Sequence, residues 1–107
     1  MRDPHKAADY IIKNAGRFAE AKSNRMYLEE HRKTKKALLM NASDGKTVSD
    51  RESYAYAHPD YQELLMQFKN AILEEEKLRL EIRAAELVIE IWRSEQASNR
   101  NQVRALQ

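Results

Sequence analysis

Cysteine is absent from the 107 residues, which excludes disulfides, a thiolate nucleophile and thiolate metal ligands. Glycine and proline are scarce, with two of each. So few breakers argue for a small number of long helices over many short elements. No run of about 18 apolar residues occurs, so no membrane-spanning helix is expected. The opening MRDPHKAADY lacks the apolar stretch of a secretory leader, and a cytoplasmic location is the expectation. There is no glycine-rich phosphate loop.

What is present is charge and aliphatic surface. Charged residues make up 34% and hydrophobic residues 42%, too apolar for disorder and too polar for a large compact core. The net charge is +2 but unevenly held. Residues 1–46 carry 11 basic against 6 acidic side chains, and residues 47–107 carry 8 against 11. The first half is therefore the better surface for an anionic partner.

Breakers and caps divide the chain into three helices of one hairpin domain over residues 1–107. Asp3 suits an N-cap and Pro4 a first helical position. From there only Gly16 interrupts until the turn NASDGK at 41–46, so a helix over about 4–41 is expected, roughly 57 Å long. Gly16 would permit a close approach of a neighbour. Ser49-Asp-Arg-Glu52 reads as a capping box opening a short helix over about 49–57. His58 precedes Pro59 and is pushed out of the helical region, which ends it. From Asp60 to about Val103 no Gly or Pro occurs, which predicts a second long helix of about 65 Å. The polar segment 93–107 outruns the first helix and reads either as a frayed, protruding helical tail or as a segment that docks on a partner.

The second long helix carries a heptad pattern. From Tyr61 its a positions run Tyr61, Phe68, Glu75, Ile82, Ile89, Gln96 and Val103, and its d positions Leu64, Ala71, Leu78, Ala85, Trp92, Asn99 and Leu106, with the apolar pattern decaying after Trp92. A weaker seam on the first helix includes Ala7, Ile11, Asn14, Phe18, Ala21 and Arg25, continuing through Leu28, Arg32, Lys35 and Leu39. An antiparallel pairing in which facing numbers total about 100 sets Leu39 by Tyr61, Leu28 by Ala71 and Ala7 by Trp92. It also sets Arg25 against Glu75, joining the basic break in one seam to the acidic break in the other. The fold expected is all-α: a long antiparallel helical hairpin, coiled-coil-like, with a short helix at the bend.

A further stripe, Leu80, Ala84, Leu87 and Ile91, lies away from that seam. A helix apolar on two sides needs a second neighbour. A homodimer through these four residues is the expectation, with Ile12, Ala15, Ala19 and Met26 able to join it.

Catalytic chemistry is hard to find. His5, His31 and His58 have no second ligand at metal spacing, so solvated histidines are the better reading. Ser43-Asp-Gly-Lys46 matches S-x-x-K in letters but sits in a turn rather than at a helix start. Glu74-Glu75-Glu76 reads as a solvated face plus the partner of Arg25. These readings point to a non-enzyme with no cofactor, no metal and no small-molecule substrate.

Nucleic acid fits better. At 100° per residue, Lys22, Arg25, Arg32 and Lys36 fall within about 80°, with Glu29 inside the same sector. Together with Lys33 these are the candidate residues for contacting DNA or RNA phosphates. Tyr54, Tyr56 and Tyr61 cluster near the same end, where they either stack on bases or pack the capped hairpin. A helix-turn-helix over 49–70 is disfavoured, because its second helix opens on Asp60 and Glu63 where phosphate contacts belong.

At YLEEHRKTKKALLM (27–40), YAHPDYQELL (56–65) and IEIWRSEQASNR (89–100), the chain resembles small all-helical proteins of tailed bacteriophages. That resemblance implies an accessory factor in the bacterial cytoplasm, encoded among genes for recombination, replication or host control. The expected function is thus a non-enzymatic phage accessory role touching nucleic acid in DNA recombination or replication. The alternative is a factor that modulates a host or phage protein without nucleic-acid contact.

Overall fold

The computed structural model describes residues 3–106. The chain is an all-α helical hairpin of α1 (Pro4–Ala42), α2 (Val48–Ala57) and α3 (Pro59–Leu106), with the two long helices packed against each other. No strand occurs among the described residues.

Each helix begins and ends for a local reason. Asp3 caps α1: its Oδ1 accepts from the His5 amide at 2.8 Å and the Lys6 amide at 3.4 Å. The Asp3 carboxyl is held below its usual range, chiefly by the His5 amide bond. After Ala42 the chain turns through Gly45, whose amide donates to Ser43 Oγ at 3.0 Å. A Cβ on Gly45 would stand 2.8 Å from Asp50 Cβ, so the turn closes tightly enough to need glycine. The cap of α2 is Thr47, two residues before the expected Ser49. Thr47 is extended (φ −113°, ψ 160°) and its hydroxyl accepts from the Asp50 amide at 3.0 Å. Both residues have an acid three positions on; backbone geometry selects Thr47 and leaves Ser49 inside the helix.

His58 joins α2 to α3. The residue before Pro59 is extended, as proline requires (φ −66°, ψ 134°). Its ring Nδ1 accepts from the Asp60 amide at 3.0 Å, and its carbonyl accepts from Tyr61 and Gln62. The imidazole therefore caps α3, a role that asparagine or aspartate fills more often.

The chain divides into two compact units. One comprises the residues up to Phe18 together with those from Glu76 onward; the other is Ala19–Glu75. In the first, Ala7, Leu78 and Ala85 are buried, with Ile11, Phe18, Ile82 and Ile89 half-buried beside them. Asn14 is buried too; its amide donates to the Tyr10 carbonyl at 2.9 Å and its Oδ1 accepts from Arg17 at 3.2 Å. The Tyr10 hydroxyl donates to Glu81 across the two helices. Trp92 was expected in the seam beside Ala7, yet it is 41% exposed. Residues 93–106 continue α3 as an exposed helix.

In the second unit, Leu28, Leu64 and Ala71 form one cluster with Phe68 against it. Leu39, Tyr61 and Ala55 form another, joined by Met40 and Leu65. Ala55 is fully buried, so α2 closes over the end of the long pair by presenting its smallest side chain. Arg25 and Glu75 meet as the pairing of seam breaks predicts: Nε to Oε2 at 2.6 Å and a second guanidinium nitrogen to Oε1 at 3.1 Å. A bidentate fork suits an arginine at a half-buried seam position, where lysine would supply one point contact.

Gly16 behaves differently from expectation. A Cβ built on it meets nothing within 4 Å, and the residue is exposed. It sits on the outer face of α1, so it accommodates no close neighbour.

Candidate nucleic-acid interface

The second unit gathers part of the basic stripe into a recess. Arg32, Lys33 and Lys36 on α1, Tyr56 on α2 and Tyr61 at the start of α3 line a concavity of about 320 Å³. Helical spacing brings Arg32 and Lys36 one turn apart on the same side. The fold-back of α2 then places Tyr56 over them. The Lys36 ammonium lies 4.7 Å from the Tyr56 ring centroid. Tyr56 meets Tyr61 edge-on, with centroids 5.5 Å apart and planes at 69°. Arg32 stands over Phe68 at 5.3 Å, where cation–π attraction orients the guanidinium.

Two carboxylates dilute this charge. Glu52 lies 3.7 Å from Lys36, and Glu30 lies 3.3 Å from Lys33. The Lys33–Glu30 pair is largely exposed and the Lys36–Glu52 contact is long, so each contributes little. The Lys36 ammonium is held above the ordinary lysine range, first by its contact with the Tyr56 hydroxyl and then by Glu52, against the opposing effect of burial. It therefore stays charged throughout the neutral and mildly alkaline range.

The remaining cations of the stripe are placed otherwise. Arg25 is committed to Glu75 and to Glu29, the latter at 3.1 Å, and these bonds raise its pKa further, with Glu75 contributing most. Lys22 is exposed on α1 outside the recess. Lys35 faces a different hollow, shared with His31, Asp60, Glu63 and Gln67, and lies 3.8 Å from Asp60. The run His31–Lys36 thus divides between a cationic recess and a mixed-charge one. Sequence spacing already sets Lys35 in the seam and Arg32 and Lys36 in the stripe.

Of the tyrosines, Tyr56 and Tyr61 enter the recess, whereas Tyr54 packs edge-on to His58 at 5.6 Å. Their convergence with Arg32 and Lys36 follows from α2 doubling back, which a helical wheel of α1 does not contain. His31 stacks on Tyr27 with centroids 5.5 Å apart. Among the described residues no three His, Asp or Glu side chains stand together as a metal site requires. No described helix is long and apolar enough to cross a membrane. Comparison with protein-family models, with curated proteins and with solved structures finds no match.

Proposed function

We propose that the protein is a non-catalytic, nucleic-acid-binding accessory factor. The observation that carries this reading is the recess where Arg32, Lys33 and Lys36 meet the rings of Tyr56 and Tyr61. Cations beside a partly exposed ring match the needs of single-stranded nucleic acid, whose phosphates seek charge and whose bases stack on aromatic faces. The resemblance to tailed-phage proteins supports a cytoplasmic role in phage DNA recombination or replication, and the apolar outer stripe of α3 supports a homodimer.

The test is a fluorescence-anisotropy titration with single- and double-stranded oligonucleotides at two salt concentrations. The reading expects single strands to bind more tightly, with affinity falling steeply as salt rises. An Arg32→Ala/Lys36→Ala variant should flatten that salt dependence. Tyr56→Ala should weaken binding at both salts alike, because stacking is less sensitive to screening. No binding at low salt would refute the proposal and leave the alternative, a factor that grips a host or phage protein without touching nucleic acid.

A further inference from the structure

The first unit exposes an apolar patch on the outer side of α3, away from the seam. Leu80, Leu87 and Ile91 are 54%, 41% and 58% exposed, and Ala84 is exposed between them. Ala84 and Ile91 also border two open hollows of about 440 and 390 Å³ that flank the helix. The spacing 80, 84, 87, 91 alternates four and three residues, the seam of a two-stranded coiled coil. The patch is bounded in the same rows by Lys77 before it and Ser94 after it.

We infer that a second copy of this chain covers the patch, with its α3 antiparallel, Leu80 facing Ile91 of the partner subunit and Ala84 facing Leu87 of the partner subunit. This rests on the homodimer reading above and adds its direction and register. Size complementarity supports it: each small Ala84 meets a Leu, and the polar ends Lys77 and Ser94 come opposite one another.

Charge decides the direction over residues 76–95. The positions flanking the patch on one side are Glu76, Arg83 and Glu90, and on the other Glu81, Val88 and Glu95. In a parallel pair, one flank of each chain meets the other flank of its partner five residues on. Glu76 would then face a glutamate at 81 and Glu90 a glutamate at 95, two like-charged pairs each occurring twice. In the antiparallel register each flank meets itself. Arg83 then faces the partner's Glu90, and Glu90 the partner's Arg83. Both side chains already point toward each other within one chain, Arg83 to Glu90 at 3.2 Å, so each is presented on that flank. On the other flank Glu81 meets Val88, and at the edge of the patch Glu95 meets the partner's Glu74, one like-charged pair where the parallel arrangement has two.

The absence of cysteine makes the test direct. Leu80→Cys and Ile91→Cys are prepared separately, and each is oxidised alone and in an equal mixture. Light scattering on the unmodified chain and on Leu87→Glu gives the mass, with circular dichroism confirming that Leu87→Glu keeps its helix. The inference expects a dimer mass, monomer for Leu87→Glu, and disulfide-linked dimers only in the mixture. In the antiparallel register, two cysteines at 80 lie 11 residues apart along the axis, about 16 Å and beyond disulfide reach. Linked dimers from each variant alone would show a parallel pair and overturn the inference while leaving the homodimer reading intact. A dimer indifferent to Leu87→Glu, with no linkage in the mixture, would place the interface elsewhere, with the same consequence. A monomer mass at every concentration would overturn both.

Discussion

Replacing Gly16 with alanine should stabilise the protein, and the size of the gain follows from the structure. Gly16 lies twelve residues beyond Pro4, well inside α1 and clear of its fraying end. Glycine in a helix interior costs about 1 kcal/mol relative to alanine, because its backbone has more freedom to lose. That gain is realised only if the new methyl group meets no obstacle and the backbone accepts it. No positive φ occurs at a glycine, and a Cβ at Gly16 meets nothing within 4 Å. Nor does the methyl group bury apolar surface, so no packing contribution is added. The expected change is therefore about 1 kcal/mol from propensity alone. Urea denaturation followed by far-ultraviolet circular dichroism measures it. With a denaturant slope of about 1–2 kcal/mol per molar, the midpoint should rise by roughly 0.5–1 M at unchanged slope. The reciprocal change, Ala15→Gly, sits beside it on the exposed surface and should lower the midpoint by a similar amount. A lower midpoint for Gly16→Ala would refute the reasoning, because it would mean that something packs against this face of α1.

Three further expectations concern the core, a cap and a titration. Leu78 is the least exposed large side chain among the described residues, at 3%, and Leu78→Ala should cost about 2–5 kcal/mol by chemical denaturation, toward the lower end if the two helices close over the gap. Thr47→Ala should cost about 1 kcal/mol whereas Ser49→Ala should be nearly neutral, since the Asp50 amide donates to Thr47. Equal losses from the two would restore Ser49 as the cap. The Tyr10 phenol is pushed above its ordinary value, first by its bond to Glu81 and then by burial. Its contribution to stability is therefore complete below the unfolded value of about 10 and disappears as pH rises through the folded value. Melting temperature against pH should fall more steeply above about 10 in the native chain than in Tyr10→Phe. Identical curves for the two would show that the bond is idle.

Much of the fold is readable from residue order because so little interrupts it. Two prolines and the turn at Gly45 divide the chain, and between them the heptad spacing of small and large apolar residues marks the seam. Every seam position proposed from Ala7 to Leu39 is buried or half-buried. On α3 the same holds from Tyr61 through Ile89, and fails at Trp92. The Arg25–Glu75 contact is equally legible, since a polar break in an apolar seam is tolerated best opposite its countercharge. The candidate site is less so. Helical periodicity groups Lys22, Arg25, Arg32 and Lys36, because each falls on one side of α1. It cannot say that Tyr56 will return over Lys36, nor that Lys22 will lie outside the recess.

Sequence alone therefore determined the helices, their breaks and the seam residues, because these depend on backbone propensity and on burial at fixed spacing along one helix. The choice of Thr47 over Ser49, the use of the His58 ring as a cap and the empty surroundings of Gly16 waited on tertiary structure. So did the convergence of Arg32, Lys33 and Lys36 with two tyrosines. Each of these turns on the direction of a bend or on a side chain arriving from another helix, and no periodicity along a single helix encodes where that side chain comes to rest.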